Sequence, residues 1–96
     1  MGQYLKLMNE YTIEWPLWDR SGPCERGDPP VPADLECRLL DWAREFNDHF
    51  DWETGWDDPA LREPHAQTGR QLYDELVAFL GENYDVDLNL WECDLT

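Results

Sequence analysis

Alternation of apolar and polar positions opens the chain. Leu5, Leu7, Tyr11, Ile13 and Trp15 share one parity, with Asn9 as its polar exception. Tyr4, Lys6, Met8, Glu10, Thr12 and Glu14 share the other. A period of two is the pattern of a half-buried strand. Asn9 marks a bulge or break, dividing the run into a strand over 3–8 and a second extended piece over 11–15. Pro16 has no N–H to donate and stops the ladder. Residues 19–33, with Ser21-Gly22-Pro23, Gly27-Asp28-Pro29-Pro30 and Pro32, have no apolar period and read as a long loop.

The period then changes to that of a helix. Pro32 and Asp34 suit a helix start. Leu35, Leu39, Trp42, Phe46 and Phe50 recur at threes and fours, widened by Leu40 and Ala43. Asp34, Arg38, Asp41, Glu45 and Asp48 make the opposite face of this helix over 33–50. Asp48 and Asp51 oppose its dipole, because cations are preferred at a C-terminal end. Residues 51–57 form a turn in which Trp52 and Trp56 flank Gly55.

Asp58-Pro59 reads as an N-cap and first helical residue. Pro64 is expected to break the helix into a short turn over 59–63 and a main helix over 64–80. The second stripe is His65, Gly69, Leu72, Leu76, Phe79 and Leu80, and Gly81 closes it. Tyr84, Val86, Leu88 and Leu90 alternate with Asp85, Asp87 and Asn89 as a last strand. Trp91 interrupts its polar side and needs something to stack on, and 93–96 is a polar tail.

The predicted fold class is α+β, a single domain over 1–96 of order β-α-α-β. It is expected to pack a two- or three-stranded, antiparallel sheet on a helical hairpin. The pairing becomes parallel if loop 19–33 crosses the molecule. Such a sheet leaves open edges, so a homodimer through a sheet edge stays open.

Charge sharpens this outline. Twenty-two acids against seven bases give a formal net charge of −15, far beyond the usual magnitude of about 2–8 for a small domain. Leu, Ile, Val and Phe together stand near the level at which such charge predicts disorder, and six Trp with four Tyr tip the balance to folding. Six of the seven bases are Arg, scattered along the chain with Lys6, and they build no basic patch. Direct nucleic acid binding and an anionic membrane surface are therefore excluded, and a basic protein partner is favoured.

Catalytic chemistry finds little support. Carboxylate pairs are too abundant for any one to stand out. The run Asp51 to Asp57 alternates oxygens like a calcium loop, but Trp56 stands where glycine is required and Arg62 where glutamate is. His49 and His65 are not spaced for a shared metal, and His65 on an apolar stripe reads as a core or interfacial histidine. Ser21 is the only serine and has no nucleophile motif around it. Cys24, Cys37 and Cys93 are an odd set without CxxC spacing, which argues against a disulfide framework. No signal peptide pattern and no membrane-length apolar run occur, so a cytoplasmic location is expected.

Recognition remains. Loop tryptophans ringed by carboxylates suit Arg- or Lys-bearing partners. Lys6-Leu7-Met8-x-Glu10-Tyr11, then Trp15-Pro16-Leu17-Trp18, the two acidic helices and Asn83-Tyr84-Asp85-Val86 resemble a group of small acidic proteins common in actinobacteria. The resemblance implies the strand–helix–helix–strand order and a cytoplasmic location, and supplies no site residue. The sequence thus predicts a non-enzymatic, cofactor-free protein-binding module of the inhibitor or immunity type. The expected partner-binding residues are Trp15, Trp18, Asp48, Asp51, Trp52, Glu53, Trp56 and Asp57. The alternatives are a nucleic-acid mimic using Asp34, Asp41, Glu45 and Asp48, and a small Asp/Glu metal protein or enzyme.

Overall fold

The computed structural model describes residues 2–94. Its radius of gyration, 13.0 Å, is that of a folded chain of this length, which resolves the balance between charge and aromatics. Strands β1 (Gln3–Met8), β2 (Leu17–Asp19), β3 (Gly22–Pro23) and β6 (Tyr84–Asn89) form one sheet in the order β3-β2-β1-β6. Helix α1 (Ala33–His49), a two-stranded hairpin of β4 (Phe50–Asp51) and β5 (Gly55–Trp56), and helix α2 (Arg62–Leu80) lie between β3 and β6 in the chain. A short helix α3 (Trp91–Asp94) follows.

The fold is α+β as expected, with two differences in the sheet. It has four strands, because Leu17 to Pro23, expected as chain leading into a loop, form β2 and β3. The carbonyl of Pro16 accepts from Met8 N at 2.9 Å, so proline ends only the donor side of the pairing. The terminal strands β1 and β6 pair in parallel rather than antiparallel, with Leu5 opposite Val86 and Leu7 opposite Leu88. β2 brings the chain back along β1, and β3 reverses it once more before the helices begin. An out-and-back pair of helices then delivers β6 to the end where β1 starts.

The extended piece expected over 11–15 is instead a turn, in which Thr12 takes a φ of 65°. The short turn and main helix expected around Pro64 are both present, as a 3-10 turn over Pro59–Leu61 and α2 over Arg62–Leu80, with the boundary slightly earlier than expected. Pro64 itself falls in the first turn of α2, where backbone N–H groups have no intrahelical acceptor, and so does not interrupt it. Ahead of it, Asp58 caps a 3-10 turn over Pro59–Leu61 by accepting from Ala60 N at 3.0 Å.

Leu5, Leu7, Trp15, Leu17, Leu35, Leu39, Trp42, Leu72, Leu76, Leu80 and Val86 form the main core between sheet and helices. Each fully buried leucine there contributes roughly 1.5–3 kcal/mol relative to exposure. Phe46, Phe50 and Trp56 form a second cluster, joined by Tyr11, Leu61 and Trp91. Trp91 finds its stacking partners there: its ring centroid lies 5.5 Å from Phe46 and 5.4 Å from Phe50, both edge-on. Glu92, expected to end the last strand, and Cys93, expected to start a polar tail, are instead buried in α3. Residues 95–96 of that tail lie outside the described residues.

Candidate functional site

The helix α1 ends in the β4–β5 hairpin because its apolar stripe continues into Phe50. Phe50 pairs with Trp56 across the hairpin, and Asp51 with Gly55. Three residues, Trp52 to Thr54, make the turn, and Gly55 supplies the positive φ of 81° that such a turn requires. Asp51 Oδ1 accepts from Glu53 N at 2.7 Å and fixes the turn from inside. The inward residues sit on the aromatic cluster, where Phe46 stacks on Phe50 at 5.2 Å and Tyr11 meets Phe46 at a tilt, with centroids 5.3 Å apart. Burial, and then the negative charge of Asp51, push the Tyr11 phenol above its ordinary value of 10.0.

The outward side is polar with one exception. Asp48, Asp51, Glu53, Asp57 and Asp58 are exposed, and Trp52 between them is 67% exposed. His49 Nδ1 lies 3.0 Å from Asp57 Oδ2 across the base of the hairpin. That hydrogen bond, with the surrounding carboxylates, raises the His49 imidazole above 6.5. A protonated His49 also places a cation in the last turn of α1, where the dipole favours one and Asp48 opposes it.

Beside the hairpin, Asp48 and Tyr11 line a groove of about 490 Å³ with Thr12, Glu14, Leu40, Arg44 and Asn47. Asn47 holds its far wall in place. Its Oδ1 accepts from Thr12 N at 3.0 Å and its Nδ2 donates to Ile13 O at 3.2 Å. These bonds hold a β-branched residue in the left-handed region, which is a strained position.

The eight residues expected to bind a partner separate into two groups. Asp48, Asp51, Trp52, Glu53 and Asp57 come together on and beside the hairpin. Trp15 and Trp56 are core side chains, 3% and 8% exposed, with their indole N–H groups donated to Asp28 O and Glu92 O. Their indoles fill the main and second clusters and present little surface to a partner. Trp18 is half-buried on β2, donates to Met8 O and lies under Lys6, whose Nζ is 5.5 Å from its ring.

Sequence reasoning missed the buried polar network at the other side of the aromatic cluster. His65, Asn9 and Glu92 are all at most 1% exposed. His65 Nε2 is 2.9 Å from Glu92 Oε2, and Asn9 Nδ2 donates to the same oxygen at 2.9 Å. His65 Nδ1 is 2.8 Å from Glu45 Oε1, at the partly exposed edge of the network. Each buried member has its backbone carbonyl capped by a tryptophan: Trp42 on His65 at 2.9 Å, Trp56 on Glu92 at 3.1 Å and Trp91 on Asn9 at 2.8 Å. The His65 ring is sandwiched between Trp42 at 4.8 Å and Trp56 at 4.7 Å.

This network resembles an acid–base constellation, but its three central side chains are sealed from solvent, with Glu45 at its partly exposed edge. Its role on this geometry is to tie β1, α1, α2 and α3 together. The sequence signals for it were His65 on an apolar stripe and Asn9 as the polar exception among the apolar positions of the first strand. Among the described residues, no cluster of His, Cys, Asp and Glu is arranged to hold a metal ion. No helix of the structure is long and apolar enough to cross a membrane.

A protein-family model described as Serratia CdiI immunity protein-like matches residues 3–89. The chain belongs to that family. The match runs from the first residue of β1 to the last of β6, so it takes in the whole sheet, both long helices and the hairpin. Glu92, which completes the buried network, lies just beyond it. No individually curated protein matches the sequence. Family membership makes this an immunity-protein-like module, and immunity proteins act by binding a partner protein.

Proposed function

We propose that the protein is a non-enzymatic, cytoplasmic immunity module that covers a basic surface of a toxin-type partner with its acidic hairpin. The observation that carries this reading is Trp52, 67% exposed at the tip of a turn fixed from inside and braced from below by five aromatic rings. A large apolar ring held rigidly among Asp48, Asp51, Glu53 and Asp57 is the composition of a binding hot spot with a charged rim. The rim accelerates encounter with a basic surface, and the ring supplies the desolvated anchor. Asp48 extends the same surface into the groove beside Thr12.

The carboxylates of α1 are less suited to imitating nucleic acid. Glu45 is turned to His65, and Arg38 and Arg44 interrupt the row, paired with Glu75 and Asp41. A regular phosphate-like spacing is lost there.

Affinity capture with the whole protein, followed by mass spectrometry, tests the proposal. The expected result is a basic protein retained at low salt, released as salt rises, and lost from the Asp51→Lys/Glu53→Lys variant. Recovery of the same partner by that variant, or a partner whose retention ignores salt, overturns the hairpin reading.

A further inference from the structure

The two edges of the main sheet are treated differently. The β3 edge is two residues long and carries Pro23, which cannot donate to an added strand. The β6 edge is six residues long, and among the described residues its backbone pairs with β1 alone. Its N–H and C=O groups on the outer side are open to an added strand. Side chains along it alternate. Asp85, Asp87 and Asn89 point to the open face and are exposed, while Tyr84 and Leu88 remain half-buried beside Val86. Leu88, Leu90 and Tyr84 pack on the main core without being covered, so its flank is incomplete along this edge.

We propose that the outer edge of β6 is a docking strand for an extended segment of a partner protein in which Lys or Arg alternates with apolar residues. Main-chain bonds would add the segment to the sheet. Its basic side chains would fall on the open face against Asp85 and Asp87, and its apolar ones would cover Leu88 and the exposed flank of the core. The charge pattern selects this occupant over a second copy. Edge-to-edge pairing of two copies would set Asp85 and Asp87 of one against the same pair of the other, and like charges across a ladder are destabilising. Two molecules of net charge −15 would also repel as wholes. The acids therefore protect the edge from self-association while matching a basic strand. This surface is separate from the hairpin and does not depend on its role.

The test uses the full chain and an end-capped peptide of about eight residues, a typical strand length, alternating Lys and Val. A second peptide of the same composition places the lysines and valines in two blocks. Backbone amide exchange over 84–89 is expected to slow with the alternating peptide and not with the blocked one. Asp85→Asn and Asp87→Asn should each weaken binding about two- to fivefold, and Asp85→Lys/Asp87→Lys should abolish it. Asp51→Lys/Glu53→Lys should leave it unchanged, which separates this site from the hairpin. Unchanged exchange over 84–89, equal slowing by both peptides, or slowing that rises with protein concentration without peptide overturns the proposal.

Discussion

His65 Nε2 and Glu92 Oε2 lie 2.9 Å apart with both side chains fully excluded from solvent. The pair joins the second helix to a short helix at the far end of the chain. Removing one partner of a buried hydrogen bond leaves the other unsatisfied and desolvated. His65→Leu is expected to destabilise the fold by about 1–3 kcal/mol, a large share of a small domain's total. His65→Leu/Glu92→Leu should cost clearly less than the sum of the two single changes, because neither residue is then left as an unsatisfied partner of the other. Urea midpoints of the four proteins, at unchanged slope, measure this.

Gly69 sits in the middle of α2, where alanine would ordinarily be better by about 1 kcal/mol. A Cβ there would stand 2.8 Å from Trp42 Cζ2 and 2.9 Å from Leu90 Cδ2. Leu90 is half-buried and can give way, but Trp42 is buried and held by its bond to His65 O. Gly69→Ala is therefore expected to lose about 1–3 kcal/mol despite its propensity. Thermal unfolding of the variant decides which effect wins.

His49 gives a pH signature. Its pKa is raised by the bond to Asp57, so the folded state binds the proton more tightly than the unfolded chain does. The associated stabilisation is fully present below the ordinary value of 6.5 and is lost as pH rises through the raised folded value. An NMR titration should show a His49 midpoint above 6.5, and Asp57→Asn should lower it. Because His49 is at the surface, added salt should shrink the difference.

The thiols should differ in reactivity. Burial, then the charges of Asp19 and Asp28, push Cys24 from 9.0 to about 11. Its thiolate fraction near neutral pH is therefore about a hundredfold below that of an ordinary cysteine. Cys37 is exposed on α1. Alkylation followed by peptide mass mapping should label Cys37 first and Cys24 slowly.

Trp52 is predicted to matter for binding and not for folding. Trp52→Ala removes an exposed ring, so stability should move by no more than about 0.5 kcal/mol. Its loss should weaken partner binding by about 2 kcal/mol or more if the ring is the anchor. Parallel unfolding and binding measurements on the one variant separate the two effects.

Local pattern determined much of the architecture. The period of two placed β1 and β6, and the stripe from Leu35 to Phe50 placed α1 and the start of the hairpin. Both patterns record which side of an element faces the core, which depends on neighbours a few residues away. The same reasoning collected Asp48, Asp51, Trp52, Glu53 and Asp57 into one turn, since they are close in sequence.

Only tertiary structure decided the rest, because it depends on contacts between distant residues. Composition marks every tryptophan as valuable but does not say which one is sealed. Trp15 and Trp56 are buried in the two core clusters, with their indole N–H groups satisfied by Asp28 O and Glu92 O, while the turn carries Trp52 outward. The parallel pairing of β1 with β6 depends on the whole path between them, through two strand reversals and two helices, which no local pattern records. Asn9 and Glu92, 83 positions apart, read separately as a strand break and one more acid in an acidic chain. They become a network only where the fold brings both to the same histidine nitrogen, within hydrogen-bond reach of each other, and excludes the water that would otherwise solvate them.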